Sequence, residues 1–233
     1  MRAHEFITEK QIEVPTSKKS ISGVIKGQQT PYINNGVQAI VYAHNKKPNT
    51  VIKIIGITGK NDPAYQFLRV CLNHSNNPFF PKIYSYKLFN SKELSIDDYD
   101  YLENQPNFII EPVQDKPYQL FIVTEKLKEI DANDEQLLHN MFNTIGILEL
   151  LEKHTNAKNL QITFKNMFKN PNSRQLIRQT TTDKNFSQAL RVLEPLFNNG
   201  AFEVDMHLGN IMLRSNDQLV INDPLAKFFT GDD

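Results

Sequence analysis

Only one cysteine, Cys71, stands among 233 residues, so no internal disulfide can form. That scarcity suits a reducing, intracellular setting. An excess of one charge is missing too, since 26 basic residues balance 26 acidic ones. No overall field therefore favours nucleic acid or an anionic membrane as partner. No apolar run approaches the roughly 20 residues that span a bilayer. The opening MRAHEFITEKQIEV lacks the apolar core of a signal peptide. Internal repeats, low-complexity tracts and Cys/His zinc spacing are absent as well. What is present suits a folded core: 39% apolar residues, with 15 Phe and 8 Tyr as bulky packing groups. The expectation is a soluble cytoplasmic protein, one ordinary domain or two small lobes.

Residues 1–30 are mixed and polar, with Lys10, Lys18, Lys19 and Lys26, and read as a solvated extension. Residues 32–55 read as strand, turn, strand, strand, with turn signals at Asn34-Asn35-Gly36 and at 46–49. Lys53 interrupts the apolar run 51–55; its plain reading is an edge lysine that snorkels to water. Asp62 as cap and Pro63 as first helical residue open a helix of about eleven residues. Its apolar positions, Ala64, Phe67, Leu68, Cys71 and Leu72, fall on one face. A strand is expected to begin at 79–84, and an acidic, irregular loop to fill 93–115. A short buried strand follows at 120–123.

Asn133 and Gln136 have capping-box spacing before a helix predicted to run to about His154. Residues 155–182 look polar and poorly patterned, broken at Pro171, with Thr180, Thr181 and Thr182 as a weak modification signal. Asp183 caps a further helix, which Pro195 should kink and Asn198-Asn199-Gly200 should end.

The most informative stretch comes next. Val204-Asp205-Met206-His207-Leu208-Gly209-Asn210 leads into two short apolar runs, 211–213 and 219–221, separated by a polar turn. That pattern predicts a hairpin. Centring a four-residue turn between Asn216 and Asp217 sets Asn210 opposite Asp223, with Cβ atoms about 5 Å apart. An amide oxygen and a carboxylate so placed can share a hard cation such as Mg²⁺. Asp205 puts a second carboxylate at the same end. Each has a plainer reading: Asp205 and Asn210 as a loop capping its own backbone, Asp223 as a cap before Pro224.

Order and spacing of these residues resemble the catalytic loop and metal-binding segment of the protein-kinase superfamily. The wording DMHLGNIM, followed by IND and Pro224, looks most like the small early serine/threonine kinases of short-tailed bacteriophages. NNGVQAIVYAH, NTVIKI and DPAYQF extend the resemblance upstream. It implies an α+β, two-lobed protein-kinase-like fold. A β-rich N-lobe would fill 31–126 and a mostly helical, truncated C-lobe 127–233. It further implies Asp205 as the group that accepts or orients the substrate proton, and Asn210 and Asp223 as Mg²⁺ ligands. Lys53 would steady the ATP phosphates. Gly36 and Val41 survive from a degraded glycine-rich loop, in which Asn34 and Ala39 replace two glycines. Thr124-Glu125-Lys126-Leu127 resembles the hinge that receives adenine, with Glu125 at the nucleotide.

Several positions depart from the family. No glutamate lies between Lys53 and Glu93, and Asp62 or Gln66 would be weak substitutes for the helix glutamate that pairs with the lysine. Val204 replaces an arginine that reads a phosphorylated activation loop, and Pro224-Leu225 replaces Phe-Gly. Ten residues follow Asp223, too few for an activation segment. The resemblance implies an ATP- and Mg-dependent protein kinase acting on Ser/Thr of bacterial host proteins. Two alternatives stand beside it: a small-molecule phosphotransferase of aminoglycoside- or choline-kinase type, since D-x-H-x-G-N occurs there too, and a pseudokinase that inhibits a host protein by docking.

Overall fold

A computed structural model describes residues 32–35, 39–44, 47–90, 116–131, 133–151, 157–198 and 200–227. The glycine-loop residue Gly36, the acidic stretch 93–115 and the N-terminal extension lie outside the described residues. The fold is α+β, with a β-rich unit and a mostly helical one. By contact the chain divides into Met1–Gly56 with Ile83–Thr124, and Ile57–Lys82 with Glu125–Asp233.

The first unit is a five-stranded sheet in the order β1-β2-β3-β5-β4. Its strands are β1 (Tyr32–Asn35), β2 (Ala39–Ala43), β3 (Thr50–Ile57), β4 (Ile83–Asn90) and β5 (Tyr118–Glu125). The β-branched run of β3 is buried at every position except Lys53, which is half-buried. A strand so covered sits inside a sheet, and β3 does, between β2 and β5. Lys53 is therefore not the edge lysine of the plain reading. Opposite it on β2 lies Val41. β4 starts at Ile83, later than the sequence suggests, because Phe79 and Phe80 pack into the second unit. β5 is longer than expected and takes in Thr124 and Glu125.

The second unit opens with α1 (Pro63–Asn73), capped by Asp62, whose carboxylate accepts from Ala64 N at 3.2 Å. The sequence reading placed this helix with the strands before it. Its ties run the other way: Asp62 pairs with Lys227 at 2.7 Å, and Phe67 meets Phe80 edge-on. Residues 77–80 are held similarly. Asn77 Nδ2 donates to Asn185 O (2.9 Å), Ile221 N donates to Phe79 O (2.8 Å), and Phe79 packs on Phe186.

Among the described residues five more helices follow: α2 (Glu135–Thr144), α3 (Leu148–Leu151), α4 (Ala157–Lys169), α5 (Pro171–Thr180) and α6 (Lys184–Phe197). The cap of α2 is Asp134 rather than Asn133, its carboxylate taking Leu137 N at 2.9 Å. The single helix expected to His154 ends instead at Thr144. Gly146 adopts φ 70°, and Gly146 N and Ile147 N return to Asn143 O and Phe142 O, which closes the helix end.

The stretch read as unpatterned holds α4 and α5. Leu160, Phe164 and Phe168 recur every four residues and are fully buried, with Phe164 packed between Phe142 and Phe168. Asn170 caps α5 and Pro171 takes its first position. Thr181 Oγ1 bonds Ile145 O, so that hydroxyl is engaged. Asp183 caps α6 as expected, accepting from Asn185 N and Phe186 N; Pro195 falls in the last turn. No helix among the described residues is long and apolar enough to cross a membrane.

Candidate active site

Two small ladders in the second unit position the residues singled out by sequence. β8 (Ile211–Leu213) pairs antiparallel with β9 (Leu219–Ile221), and β6 (Lys128–Glu129) lines the other side of β8. β7 (Phe202–Val204) pairs antiparallel with β10 (Leu225–Lys227), a partnership the sequence did not suggest. The loop from Asp205 to Asn210 joins the ladders at one end, and residues 222–224 join them at the same end. Met206 and Leu208 are buried and pin this loop from below.

The hairpin register differs from expectation by one residue. Ile211 pairs with Ile221, Met212 with Val220 and Leu213 with Leu219, so continuing the ladder puts Asn222, not Asp223, opposite Asn210. The cause is the turn. Arg214 N bonds Gln218 O (2.9 Å) and Asp217 N bonds Arg214 O (3.0 Å), leaving a three-residue loop with Asp217 at φ 59°. Such loops need a left-handed residue in third place, which Asp tolerates without glycine.

Asp223 still reaches the site, by its backbone. Asn210 O receives Asn222 N at 2.9 Å and Asp223 N at 3.4 Å, while Asp205 N donates to Pro224 O at 2.9 Å. Asp205, Asn210 and Asp223 are thus gathered by main-chain bonds before any side chain takes part.

The side chains add a tight cluster. Asn210 Nδ2 donates to Asp205 O (2.8 Å) and Asp205 Oδ2 (3.0 Å), and lies 3.0 Å from His207 Nε2. With its nitrogen turned to Asp205, the amide oxygen of Asn210 is the atom left for a hard cation. His207 Nδ1 accepts from Gly209 N at 3.1 Å. Among the described residues no hydrogen bond reaches Asp205 Oδ1.

A Mg²⁺ ion fits this donor set in kind. It takes oxygen ligands, commonly one or two carboxylates completed by phosphate oxygens and water. Among the described residues no group of three or more His, Cys, Asp and Glu could hold a metal by itself. Asn210 Oδ1 and the Asp223 carboxylate would therefore need oxygens from a bound nucleotide to complete a shell.

The remaining candidates are not members of this cluster. Lys53 and Val41 belong to the first unit. Glu125 belongs to the second, and both its groups are engaged: its N–H donates to Lys82 O (3.1 Å), and its carboxylate takes Lys82 N (2.8 Å) and Arg214. Neither its N–H nor its carboxylate is therefore spare for the nucleotide role implied by the resemblance. Of the two substitutes for the helix glutamate, Asp62 is spent on Lys227, while Gln66 is tied to Lys60 O (2.6 Å) through its Nε2 donor alone. Sequence reasoning missed Arg214 and Lys227, whose partners are distant in sequence.

No protein-family model matches the chain, and no curated protein matches it. Among solved structures, a pseudokinase overlaps 82% of this chain at 12% identity, with a TM-score of 0.35. It is PEAK1 (Sugen Kinase 269), and the chain spans 42% of its length. An overlap that loose says nothing about what this chain does.

Proposed function

We propose that the chain is an ATP-dependent phosphotransferase, a protein kinase of Ser/Thr type like the early kinases of short-tailed phages. Its substrates would be host proteins in the bacterial cytoplasm. One observation carries the reading: Asp205 Oδ2 is held by Asn210 while Oδ1 takes no bond among the described residues, and Asp223 joins them through the β7–β10 and β8–β9 ladders.

Phosphoryl transfer asks a protein chiefly for positioning and charge neutralisation. In the proposed step the acceptor hydroxyl oxygen bonds the γ-phosphorus and the bond from that phosphorus to the bridging oxygen breaks. The hydroxyl proton passes to Asp205 Oδ1, and ADP leaves with the bond's electron pair. Mg²⁺, held by Asn210 and Asp223, would neutralise charge on the phosphates. Lys53 keeps the phosphate role that the resemblance gives it. A small-molecule acceptor in place of a protein would use the same step.

A second reading, a pseudokinase that binds without transferring, is favoured by a specific observation. Asp62, the acidic stand-in for the missing helix glutamate, is committed to Lys227. Radiolabel transfer from ATP to a bacterial lysate, with Asp205→Asn as control, tests the first reading; equal labelling by both forms rejects it. Thermal unfolding with ATP and Mg²⁺ at high excess tests the second. A stabilised chain that transfers nothing supports binding alone.

A further inference from the structure

His207 sits at the centre of the cluster, and the backbone dictates which of its nitrogens carries the proton. The Gly209 hydrogen lies in its peptide plane and cannot turn away. It points at His207 Nδ1 from 3.1 Å, so Nδ1 is the lone-pair nitrogen. A neutral ring then has its proton on Nε2. Nε2 lies 3.5 Å from Asp205 Oδ2 and 3.0 Å from Asn210 Nδ2. Two donors cannot satisfy each other. The two Asn210 hydrogens go to Asp205 O and Oδ2, and Oδ2, 3.5 Å away, is the acceptor within reach of the His207 proton.

We propose that His207 is a positioning residue, locked as its Nε2–H form by Gly209, that holds one oxygen of Asp205. Together with Asn210 it occupies Oδ2 and leaves Oδ1 alone to take the acceptor's proton. This inference rests on the phosphotransferase reading. The 3.5 Å separation is long, and catalytic hydrogen bonds commonly tighten only when substrate is bound. The same lock excludes His207 as the base, since one nitrogen is spent on Gly209 and the other already carries a proton. It also accounts for Gly209. A Cβ there would stand 2.9 Å from His207 Cε1 and 3.1 Å from Nδ1, so any larger residue pushes the ring out of place.

Two near-isosteric variants separate the ring's two sides. Glutamine can place an N–H donor near the Nε2 position, whereas asparagine can place an oxygen near Nδ1 but reaches nothing beyond it. His207→Gln should keep kcat within about three-fold of wild type. His207→Asn and His207→Ala should lose about ten-fold or more, with KM for ATP unchanged. Asparagine as active as wild type, or glutamine as impaired as alanine, would overturn the proposal. Far-ultraviolet circular dichroism of each variant checks that it folds. Ring ¹⁵N spectra of the wild-type chain give a readout without activity: a protonated Nε2 and bare Nδ1 support the lock, and the reverse overturns it. If the wild type labels no acceptor, the phosphotransferase reading fails by itself, and these spectra still judge the tautomer.

Discussion

Arg214 and Glu125 meet in a two-point ion pair, Nε to Oε2 at 2.9 Å and Nη2 to Oε1 at 2.7 Å. The same guanidinium donates to Phe80 O at 2.9 Å and to Pro78 O. The side chains keep only 13% and 10% of their exposure, so little water screens them. Within the second unit, one arginine thus fastens the end of β8 to residues 78–80 and to Glu125.

Removing one member strands the other in a poorly hydrated place. Arg214→Met should cost on the order of 3 kcal/mol, seen as a fall in Tm of about 6–12 °C. Pairing it with Glu125→Leu should recover part of that loss, because the orphaned carboxylate is gone. Thermal unfolding of the two single variants and the double decides. Strictly additive losses would mean that the pair contributes no coupling.

The hairpin register depends on Asp217 at φ 59°. Asp217→Val should destabilise by about 1–2 kcal/mol, because a β-branched residue resists the left-handed conformation. Asp217→Gly should leave Tm within about 2 °C of wild type, since glycine adopts that conformation freely. Equal effects from both would show that the turn does not hold the register.

The register and the helices show where the sequence was readable and where it was not. Asp62-Pro63 and Asp183 announced α1 and α6 because a cap acts on amides two or three residues away. The β3 run was legible for a similar reason: its side chains by themselves favour a covered strand. Leu160, Phe164 and Phe168 were hidden because the polar residues between them dilute a one-stripe helix. The hairpin was foreseen but its register was not. The choice between a three- and a four-residue loop turns on one backbone angle at Asp217. Arg214–Glu125 and Lys227–Asp62 join residues far apart in sequence, and nothing local marks either partner. In the site, the sequence set Asp205 and Asn210 at one end of the hairpin, but the bond between their side chains, across five residues, was not foreseen.

Gly146 makes the break between α2 and α3. A Cβ there would lie 2.6 Å from Thr182 Oγ1 and 2.7 Å from Thr182 N, besides requiring φ 70° of an ordinary residue. Gly146→Ala should therefore cost more than the roughly 1–2 kcal/mol of the backbone strain alone. Denaturant unfolding gives the number; a loss under about 1 kcal/mol would mean that Thr182 moves aside easily.

Asp62 is almost fully buried and accepts from Thr58 N (3.1 Å), Thr58 Oγ1 (3.3 Å), Ala64 N and Lys227 Nζ. It joins the cap of α1 to β10, the strand that follows Asp223. Lys227→Met removes one of four donors, while Asp62→Ala takes the shared acceptor from all four, leaving Lys227 Nζ only Thr58 Oγ1. Asp62→Ala should be the more damaging in thermal unfolding, by at least the roughly 1 kcal/mol of a lost cap. In both variants the amides of β10 should exchange hydrogen faster. Unchanged exchange in Lys227→Met would show that the β7 ladder alone holds the strand.

Asn210 and Asp205 should separate binding from transfer. Asn210 Nδ2 fixes Asp205, and its other amide atom is the proposed metal ligand. Asn210→Asp keeps an oxygen for Mg²⁺ but sets two carboxylates against each other, so the nucleotide should still stabilise the chain while transfer slows. Asp223→Ala removes a proposed ligand outright, and the Mg²⁺-dependent part of the ATP-induced rise in Tm should disappear. Asp205→Asn keeps the shape and loses the proton acceptor. Its ATP–Mg²⁺ stabilisation should match wild type while kcat falls by about 10²–10⁴-fold. A nucleotide response that survives in Asp223→Ala but vanishes in Asp205→Asn would reverse these assignments and make Asp205 the metal ligand.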